Sequence, residues 1–388
     1  MNKQEIKQAI TGISNLLGNN PALLLASLAL CGCAVHPTTQ AHTDNQPIQQ
    51  ITDKAVATAR KELQPKGISI VVAEPSTGKI VAMSDWAEWP LFKSTGDYTP
   101  AMPDPRTGKP TPNLWTGATM FEPGSTFKPI VVAAALEKGV ITPKTKIYCE
   151  NGLFSYGGKT IKDHYHQGNA TYEEIMMKSS NIGAAKIGLL LKDEDFYRFI
   201  RKFGFGQKTG ISLPWEVSGM VNPPSKWDSL TKTRMAFGQS VFVTPIQLTM
   251  AYCAIANGGN LMRPVVGDEK PRVVRRVCSE NTANLLKAAL QKSASLNGTA
   301  PLAHVEGVTV AGKTGTAQAL TSEGNYLTDQ YWTMFAGFFP VDHPKYVVVV
   351  IVDEAKLAPD LNFGGLVAAP IFSKVATKIS ALKKPSLE

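Results

Sequence analysis

The sequence predicts an α/β (α+β) fold in which strands from both ends of the chain form one layer, with a helical insertion between them. Two observations support this prediction. β-prone runs occur at residues 67–83 and again at residues 308–352, whereas helical patterns dominate the stretch between them. The chain has 388 residues and is 43% hydrophobic, which suits one large globular domain or two small ones.

The first β-prone segment predicts a hairpin. Residues 68–73 and 79–83 are rich in Ile, Val and Ala, and they flank a turn that contains Pro75 and Gly78. Residues 86–116 contain many prolines and predict a long irregular loop, of a kind that is often functional.

The middle of the chain predicts helices. Residues 130–136 have no polar face, which predicts a buried helix that stops at Gly139. Residues 142–170 are rich in turn residues, and Thr171 with Glu174 forms a capping-box pattern at the start of the next helix. Further helical patterns cover residues 182–191, 193–203 and 246–257, part of residues 273–293, and residues 368–382. The β-prone runs that precede the last helix are residues 308–317, 332–339 and 346–352.

Residues 1–35 predict an export leader. Residues 1–20 are polar, and residues 21–35 form an apolar run of about 15 residues, which is shorter than the roughly 20 residues that span a membrane. Such a run fits the apolar part of a signal peptide. The segment 30–33 resembles a bacterial lipoprotein processing site, which makes Cys33 a lipidation candidate. A short membrane anchor or an uncleaved leader is the alternative.

The rest of the chain predicts one main domain. Residues 36–66 predict a polar linker with a short helix at residues 51–63, and residues 67–388 predict the domain itself. Because the leader implies export, we expect this domain on the periplasmic or cell-envelope face, held at the membrane by a lipid or a short anchor.

Charge and cysteine content limit the functions that fit. The formal net charge of +9 suits anionic surroundings such as a membrane surface, a cell-wall polymer or nucleic acid. No basic run interleaved with aromatic residues occurs, so we expect no nucleic acid partner. The 5 cysteines have no disulfide or metal spacing, and the run at residues 163–166 (DHYH) has no supporting ligand cluster. We therefore expect no metal and no cofactor.

Three short motifs in one order carry the candidate chemistry. They are Ser125-x-x-Lys128, Ser179-x-Asn181 and Lys313-Thr314-Gly315. Residues three apart share one face of a helix, so we expect Ser125 and Lys128 to lie side by side. A lone Ser-x-x-Lys also fits an ordinary capping serine with a surface lysine, but the two further motifs favour the catalytic interpretation.

A serine hydroxyl is a weak nucleophile at neutral pH and needs a base within hydrogen-bond reach. Lys128 can be that base for Ser125 if burial and positive neighbours lower its pKa. Ser179 can relay a proton between the base and the leaving amine. The backbone N–H groups of Ser125 and Thr316 can form an oxyanion hole, an effect worth about 10²–10³ in rate per donor.

The other motif residues are candidates for substrate binding. Asn181 can hold a substrate amide. Lys313, Thr314 and Thr316 offer a cation and hydroxyls for a substrate carboxylate. Gly315 is expected to leave room for substrate to lie against the strand.

The sequence resembles the transpeptidase domain of class B penicillin-binding proteins, over about residues 67–382. The similar segments are residues 122–129 (EPGSTFKP), 178–183 (KSSNIG), 313–318 (KTGTAQ), 244–248 (TPIQL) with 256–259 (ANGG), and 369–372 (APIF). The resemblance implies the serine β-lactamase fold, an antiparallel sheet flanked by helices with an inserted helical subdomain. It places the reactive Ser125 at the cleft between the sheet and that subdomain.

The resemblance also implies a function. It implies D-Ala-D-Ala transpeptidation of peptidoglycan stem peptides through an acyl-enzyme, with carboxypeptidase activity where water replaces the acceptor amine. It implies acylation by β-lactam antibiotics, and it leaves membership of a cell-wall synthesis complex open. Family members usually carry a membrane helix and a pedestal domain before the transpeptidase. Only residues 35–66 separate the leader from the first predicted strand, so we expect no pedestal domain between them.

Three alternatives remain open. Residues 307–314 (GVTVAGKT) fit the P-loop pattern of nucleotide hydrolases, but a P-loop needs a strand before it and a helix after it, whereas β-prone residues lie inside this one. Residues 125–128 (STFK) also fit a class D β-lactamase. Those enzymes have Ser-x-Val as the second motif, where this chain has Ser179-x-Asn181, and no deacylating carboxylate is evident. The third alternative is a β-lactam-binding sensor that is acylated and never turns over.

Overall fold

The computed structural model describes residues 45–87, 114–213, 216–321 and 325–382. Its helices, in chain order, are α1 (Gln46–Leu63), α2 (Leu114–Ala118), α3 (Lys128–Glu137), α4 (Tyr172–Lys178), α5 (Asn181–Leu190), α6 (Asp193–Lys202), α7 (Thr231–Ala236), α8 (Pro245–Ala256), α9 (Glu280–Ser293) and α10 (Ala368–Ala381). Its strands are β1 (Gly67–Ala73), β2 (Ile80–Ala87), β3 (Lys146–Tyr148), β4 (Leu153–Tyr156), β5 (Lys159–Lys162), β6 (Asn169–Thr171), β7 (Asn260–Met262), β8 (Val273–Arg276), β9 (Ala311–Leu320), β10 (Tyr326–Phe339) and β11 (Tyr346–Asp353). The predicted leader, Cys33 and most of the proline-rich loop lie outside the described residues.

The main sheet joins both ends of the chain. It has five antiparallel strands in the order β2-β1-β11-β10-β9, so the N-terminal hairpin pairs with the last strand through β1 and β11. This is the layer that the sequence predicts, closed by both ends of the chain, with the helical stretch inserted between them. β9 is an outermost strand, which leaves one of its edges without a strand partner among the described residues.

Helices cover both faces of this sheet, because alternate residues of its strands enter two different cores. In β11, Val347, Val349 and Ile351 join the core that contains α3 and α8, whereas Val348 and Val350 join the core under α1 and α10. Burying a side chain of this size contributes roughly 1.5–3 kcal/mol. A strand that is buried on both faces is therefore a continuous apolar run, which is how β11 looks in the sequence.

Helix α3 is central to the helical part and follows directly from the first motif. Residues 128–135 are all buried, which explains why the run has no polar face. The fully buried Tyr252 of α8 donates its hydroxyl to the carbonyl of Thr126 at 3.0 Å. A hydrogen bond from a second buried helix therefore stabilises the turn that precedes α3.

Helix α1 begins at Gln46, inside the stretch predicted to be a linker, and not at residue 51. The side chain of Asn45 caps it by accepting a hydrogen bond from Ile48 N at 3.3 Å. The buried Gln49 donates to the carbonyl of Met83 at 3.0 Å. The polar side chains of this stretch thus form hydrogen bonds with the helix start and with the sheet. Its polar composition alone therefore predicts a linker where the chain is helical.

The turn-rich stretch after α3 contains short strands as well as turns. β3 pairs with β6, and β4 pairs with β5, each as a separate two-stranded sheet. Gly157 and Gly158 connect β4 to β5 with positive φ angles of 57° and 74°, a conformation that suits a tight hairpin. β10 is also longer than predicted, since it begins at Tyr326.

No helix in the described part of the chain has both the length and the apolar character needed to cross a membrane. Cys149, Cys253 and Cys278 are buried free thiols.

Candidate active site

Ser125 lies in a short turn that leads into α3. The turn is a 3₁₀ helix over Gly124–Phe127, and α3 then begins at Lys128, with Pro129 in its first turn, where proline is tolerated. Lys128 Nζ lies 2.9 Å from Ser125 Oγ. The side-by-side placement predicted from the spacing of these two residues is therefore confirmed.

Lys128 is fully buried, and oxygen atoms surround its amine. In addition to the Ser125 hydroxyl, Nζ lies 2.5 Å from the carbonyl oxygen of Ser179, 3.1 Å from Ser179 Oγ and 2.8 Å from Asn181 Oδ1. The first and second motifs therefore meet at this one amine.

Burial lowers the pKa of Lys128 well below its usual range, and the nearby charge of Lys313 lowers it further, while Asp163 acts in the opposite direction. Desolvation has this sign because it disfavours the charged form of an amine. A neutral amine has a lone pair that can accept the proton of Ser125. Lys128 thus has the lowered pKa, caused by burial and a positive neighbour, that the sequence analysis requires of a base for Ser125.

Ser179 connects the two buried lysines. Its Oγ lies 3.1 Å from Lys128 Nζ and 2.9 Å from Lys313 Nζ. The residue stands between α4 and α5 with a φ of 59°, a left-handed conformation that is uncommon for residues other than glycine and frequent at functional sites. Lys313 is also buried, and burial lowers its pKa to about 7. The hydroxyl of Ser179 is therefore within hydrogen-bond distance of two buried amines whose pKa values are lowered.

Asp163 fixes the second motif, and sequence reasoning missed this role. Its Oδ1 accepts hydrogen bonds from Asn181 N at 2.6 Å and Ile182 N at 3.1 Å, and its Oδ2 accepts one from the hydroxyl of Ser180. A carboxylate at this position satisfies the free N–H groups at the start of α5 and suits the positive end of the helix. In the described ranges, no group of three or more His, Cys, Asp or Glu side chains is arranged to hold a metal ion.

The third motif lies within β9, and this position contradicts the P-loop alternative. The strand runs from Ala311 to Leu320 through Lys313 and Thr314, so no helix begins where a P-loop requires one. The nucleotide-hydrolase interpretation of this segment is therefore wrong.

The two threonines of this strand line the cleft and have neighbours of their own. Thr314 Oγ1 lies 2.9 Å from Thr299 Oγ1, and Thr316 Oγ1 accepts a hydrogen bond from Gly364 N at 3.1 Å. A Cβ placed on Gly124 would lie 3.4 Å from the backbone nitrogen of Thr316. The backbone of Thr316 is therefore adjacent to the turn that carries the candidate nucleophile.

The sequence analysis expects Gly315 to leave room for substrate, and this prediction is wrong. A Cβ at this position would lie 2.5 Å from Met334 Cγ and 2.8 Å from the carbonyl oxygen of Pro123, so the missing side chain faces the protein interior. Gly315 therefore allows β9 to pack closely against the segment before Ser125, and it does not create space for substrate.

Glu122 is a second residue that sequence reasoning missed. Its Oε1 accepts a hydrogen bond from Ser240 N at 2.6 Å, and the Tyr326 hydroxyl donates to both carboxyl oxygens, at 3.1 and 3.2 Å. Burial raises the pKa of Glu122 to about 7, against the opposing effects of these hydrogen bonds and of Arg234. The side chain does not line the cleft, but it joins the segment before Ser125 to the start of β10.

The motifs share one cleft of about 930 Å³. The residues of the motifs that line it are Ser125, Ser179, Asn181, Thr314 and Thr316, whereas both lysines are buried. β9 contributes one wall, and all residues of β5 line the cleft as well. β5 pairs only with β4, so its outer edge has no strand partner in the described part of the chain.

A family model for the penicillin binding protein transpeptidase domain matches residues 68–377. The chain belongs to the penicillin-binding protein transpeptidase family. The matched range contains all three motifs. Together with the relatives below, it confirms the resemblance to class B penicillin-binding proteins that was found from the sequence segments.

Curated relatives in this family are longer than the chain. Stage V sporulation protein D from Bacillus subtilis is 35% identical over 351 residues, which are 86% of this chain and 52% of that protein. Peptidoglycan D,D-transpeptidase FtsI from Escherichia coli K12 is 28% identical over 310 residues, which are 79% of this chain and 50% of that protein. The chain therefore spans about half the length of these penicillin-binding relatives.

Solved penicillin-binding proteins share the fold. The transpeptidase domain of penicillin-binding protein 3 from Burkholderia pseudomallei matches with a TM-score of 0.75 and 31% identity, over 88% of this chain and 96% of that one. Penicillin-binding protein 3 from Mycobacterium tuberculosis, complexed with aztreonam, matches with a TM-score of 0.73 and 29% identity, over 88% of this chain and 79% of that one. These matches confirm the predicted antiparallel sheet flanked by helices.

Proposed function

We propose that this member of the penicillin-binding family is a peptidoglycan D,D-transpeptidase that cross-links stem peptides through an acyl-enzyme on Ser125. The proposal depends above all on the 2.9 Å contact between Ser125 Oγ and the buried amine of Lys128, whose pKa is lowered. A serine hydroxyl reacts readily at neutral pH only with such a base in reach. The Escherichia coli relative is named a peptidoglycan D,D-transpeptidase, which supports the same reaction here.

In the acylation step, the hydroxyl of Ser125 attacks the carbonyl carbon of the penultimate D-Ala, and Lys128 accepts its proton. Backbone N–H groups of Ser125 and Thr316 stabilise the negative charge on the carbonyl oxygen. Ser179, within reach of both lysines, relays a proton to the leaving amine. The C–N bond then breaks, and the terminal D-Ala departs with the acyl group left on Ser125.

In the second step, an amine from another stem peptide attacks the acyl-enzyme, forms the cross-link and restores the free hydroxyl. Water in place of the amine gives a carboxypeptidase product. The same base and relay act in the opposite direction, since the attacking amine occupies the place of the leaving one.

The second and third motifs supply the groups that bind the substrate. Lys313, Thr314 and Thr316 bind the terminal carboxylate of the donor, and Asn181 contributes to binding of the donor amide. β-Lactam antibiotics acylate the same serine. The solved aztreonam complex of a related protein supports this part of the proposal.

The β-lactamase alternative requires rapid hydrolysis of the acyl-enzyme. No Asp or Glu side chain is among the described residues that line the cleft, and the buried Glu122 is engaged by Ser240 and Tyr326 away from it. This lack of an available carboxylate favours a long-lived adduct.

We place the protein at the cell envelope, where peptidoglycan is assembled. Export by the leader and lipidation of Cys33 remain predictions.

A direct test follows the fate of a stem peptide. The protein is incubated with a synthetic donor ending in D-Ala-D-Ala, with and without an added D-amino acid as acceptor, and products are identified by mass spectrometry. We expect release of D-Ala and transfer of the acyl group to the added amine, with neither product from Ser125→Ala.

Release of D-Ala without any transfer would reject the transpeptidase assignment and leave a carboxypeptidase. Fast hydrolysis of penicillin by a protein that leaves the stem peptide intact would support the β-lactamase alternative.

A further inference from the structure

Two hydrogen bonds join the turn before α3 to the loop that follows α7. Gly124 N donates to the carbonyl of Gly238 at 3.0 Å, and Glu122 Oε1 accepts from Ser240 N at 2.6 Å. The two segments also fit closely, because a Cβ placed on Gly238 would collide with the carbonyl of Gly124. A movement of this loop would therefore move the turn that carries the candidate nucleophile.

The same carboxylate connects the turn to the main sheet. The hydroxyl of Tyr326 donates to both carboxyl oxygens of Glu122, at 3.1 and 3.2 Å. Tyr326 is the first residue of β10, where it pairs with Leu320 of β9, the strand that contains the third motif. Glu122, which is only 5% exposed, thus joins three parts of the molecule: the turn, the loop after α7 and the sheet.

This junction bears on the proposed oxyanion hole. One of its two N–H groups belongs to Ser125 in the turn, and the other belongs to Thr316 in β9, so their spacing depends on how the turn is held against the sheet. A displacement of about 1 Å in a catalytic group can lower a rate by 10²-fold. Neither Glu122 nor Tyr326 is among the described residues that line the cleft. Any effect of this pair on the reaction is therefore an effect on position.

Glu122 changes its charge near neutral pH. Burial raises its pKa from the ordinary 4.5 to about 7, against the hydrogen bonds from Ser240 and Tyr326 and the positive charge of Arg234. Tyr326 and Arg234 are the titratable or charged groups that act on it in the described ranges, and the pKa of Tyr326 is itself raised by burial and by Glu122. A carboxyl with a pKa raised on folding costs stability, and the full cost is present above the raised pKa. A carboxylate that is kept at such a cost is typical of a functional position.

We propose that Glu122 is a positioning residue for acylation, and that its ionised form holds the turn of Ser125 in the reactive position. A charged acceptor forms stronger hydrogen bonds than a neutral one, so the bonds from Ser240 and Tyr326 weaken when the carboxylate takes up a proton. The inference rests on the proposed function, because it assumes that Ser125 is the nucleophile. It adds a residue that controls the rate without touching the substrate.

The test compares acylation by benzylpenicillin of the native chain and of Glu122→Gln at about pH 5.5 and about pH 8.5, on either side of the pKa of Glu122. Glutamine has nearly the same shape and stays neutral, so it imitates the protonated carboxyl at both pH values. Lys313 and Asp163 are the charges that act on the pKa of Lys128, so the comparison reports the position of the turn and not the strength of the base. Chemical denaturation measures the stability of each sample.

We expect Glu122→Gln to be acylated about five- to ten-fold more slowly than the native chain at the higher pH, and at nearly the native rate at the lower pH. At the higher pH the variant should be at least as stable as the native chain, because it lacks a buried charge. A second variant, Tyr326→Phe, keeps the carboxylate and removes one donor. It should slow acylation by about two- to three-fold at the higher pH alone.

The matched control is Glu137→Gln, at the far end of α3. The carboxylate of Glu137 also accepts hydrogen bonds from a backbone N–H and a hydroxyl, those of Ser279, at 3.0 and 2.7 Å, and it does not line the cleft. We expect this variant to be acylated at the native rate at both pH values.

Equal slowing of Glu122→Gln at both pH values would overturn the inference, since a purely structural defect does not follow the charge of Glu122. A native rate from Glu122→Gln at the higher pH would overturn it as well. In both cases, acylation of the native chain at Ser125 would leave the proposed function standing. A folded native chain that is never acylated would overturn the proposed function together with the inference.

Discussion

Replacing Lys128 with methionine should lower the rate of acylation by benzylpenicillin by about 10²- to 10⁴-fold, the range that a positioned general base contributes. Methionine has a similar length and fits a buried site, but it cannot accept the proton of Ser125. Nζ of Lys128 also contacts Ser179 and Asn181, at 2.5 and 2.8 Å, so the substitution separates the first motif from the second. Rapid mixing followed by intact-mass analysis measures the acylation rate.

The control for this variant is Lys138→Met, at the other end of the same helix. Lys138 forms a surface ion pair with Asp195 at 2.6 Å, and it does not line the cleft. We expect native acylation from Lys138→Met, and a loss of unfolding free energy from Lys128→Met of about 1–3 kcal/mol for each buried acceptor left unpaired. Acylation of folded Lys128→Met within three-fold of the native rate would show that Lys128 is not the base.

Replacing Asp163 with alanine should slow acylation by roughly 10²-fold, because a displacement of about 1 Å in a catalytic group can have that effect. The carboxylate of Asp163 holds the backbone of Asn181 at 2.6 Å and of Ile182 at 3.1 Å. Without it, those N–H groups lose their partner, and the start of α5 can move away from Lys128. We also expect a loss of about 1–3 kcal/mol in unfolding free energy, measured by chemical denaturation.

Two further variants separate positioning from general destabilisation. Asp163→Asn keeps one oxygen acceptor for the N–H groups and should recover most of the acylation rate. Asp195→Ala removes an exposed carboxylate from the surface pair with Lys138 and should leave the rate unchanged. If Asp163→Ala acylates as fast as Asp195→Ala, then Asp163 has no part in holding the second motif.

The first motif could be predicted from the sequence because its geometry is local. Residues three apart on a helical turn must lie close together, and Ser125 and Lys128 do so. The approach of Ser179 to Lys313 is different, since 134 positions separate them and only the assembled sheet and helices bring them to 2.9 Å. The order of the motifs predicted that Ser179 and Lys313 belong to one site. The distance between them could not be predicted from the sequence.

Asp163 and Glu122 were missed because their partners are distant in the chain. Glu122 bonds to Ser240 and to Tyr326, which are 118 and 204 positions away. No helical or strand periodicity encodes such a contact.

The wrong prediction for Gly315 has another cause, which is strand geometry. Alternate residues of a strand face opposite sides, so a residue between two that line the cleft must face inward.

The most direct test of the account is the intact mass of the protein after incubation with benzylpenicillin, followed over hours and compared with Ser125→Ala. We predict a stable adduct of one penicillin per chain, mapped to Ser125 by peptide mass analysis and absent from the folded Ser125→Ala variant. Folded protein that forms no adduct, or an adduct on another residue, would contradict the assignment of Ser125 as the nucleophile.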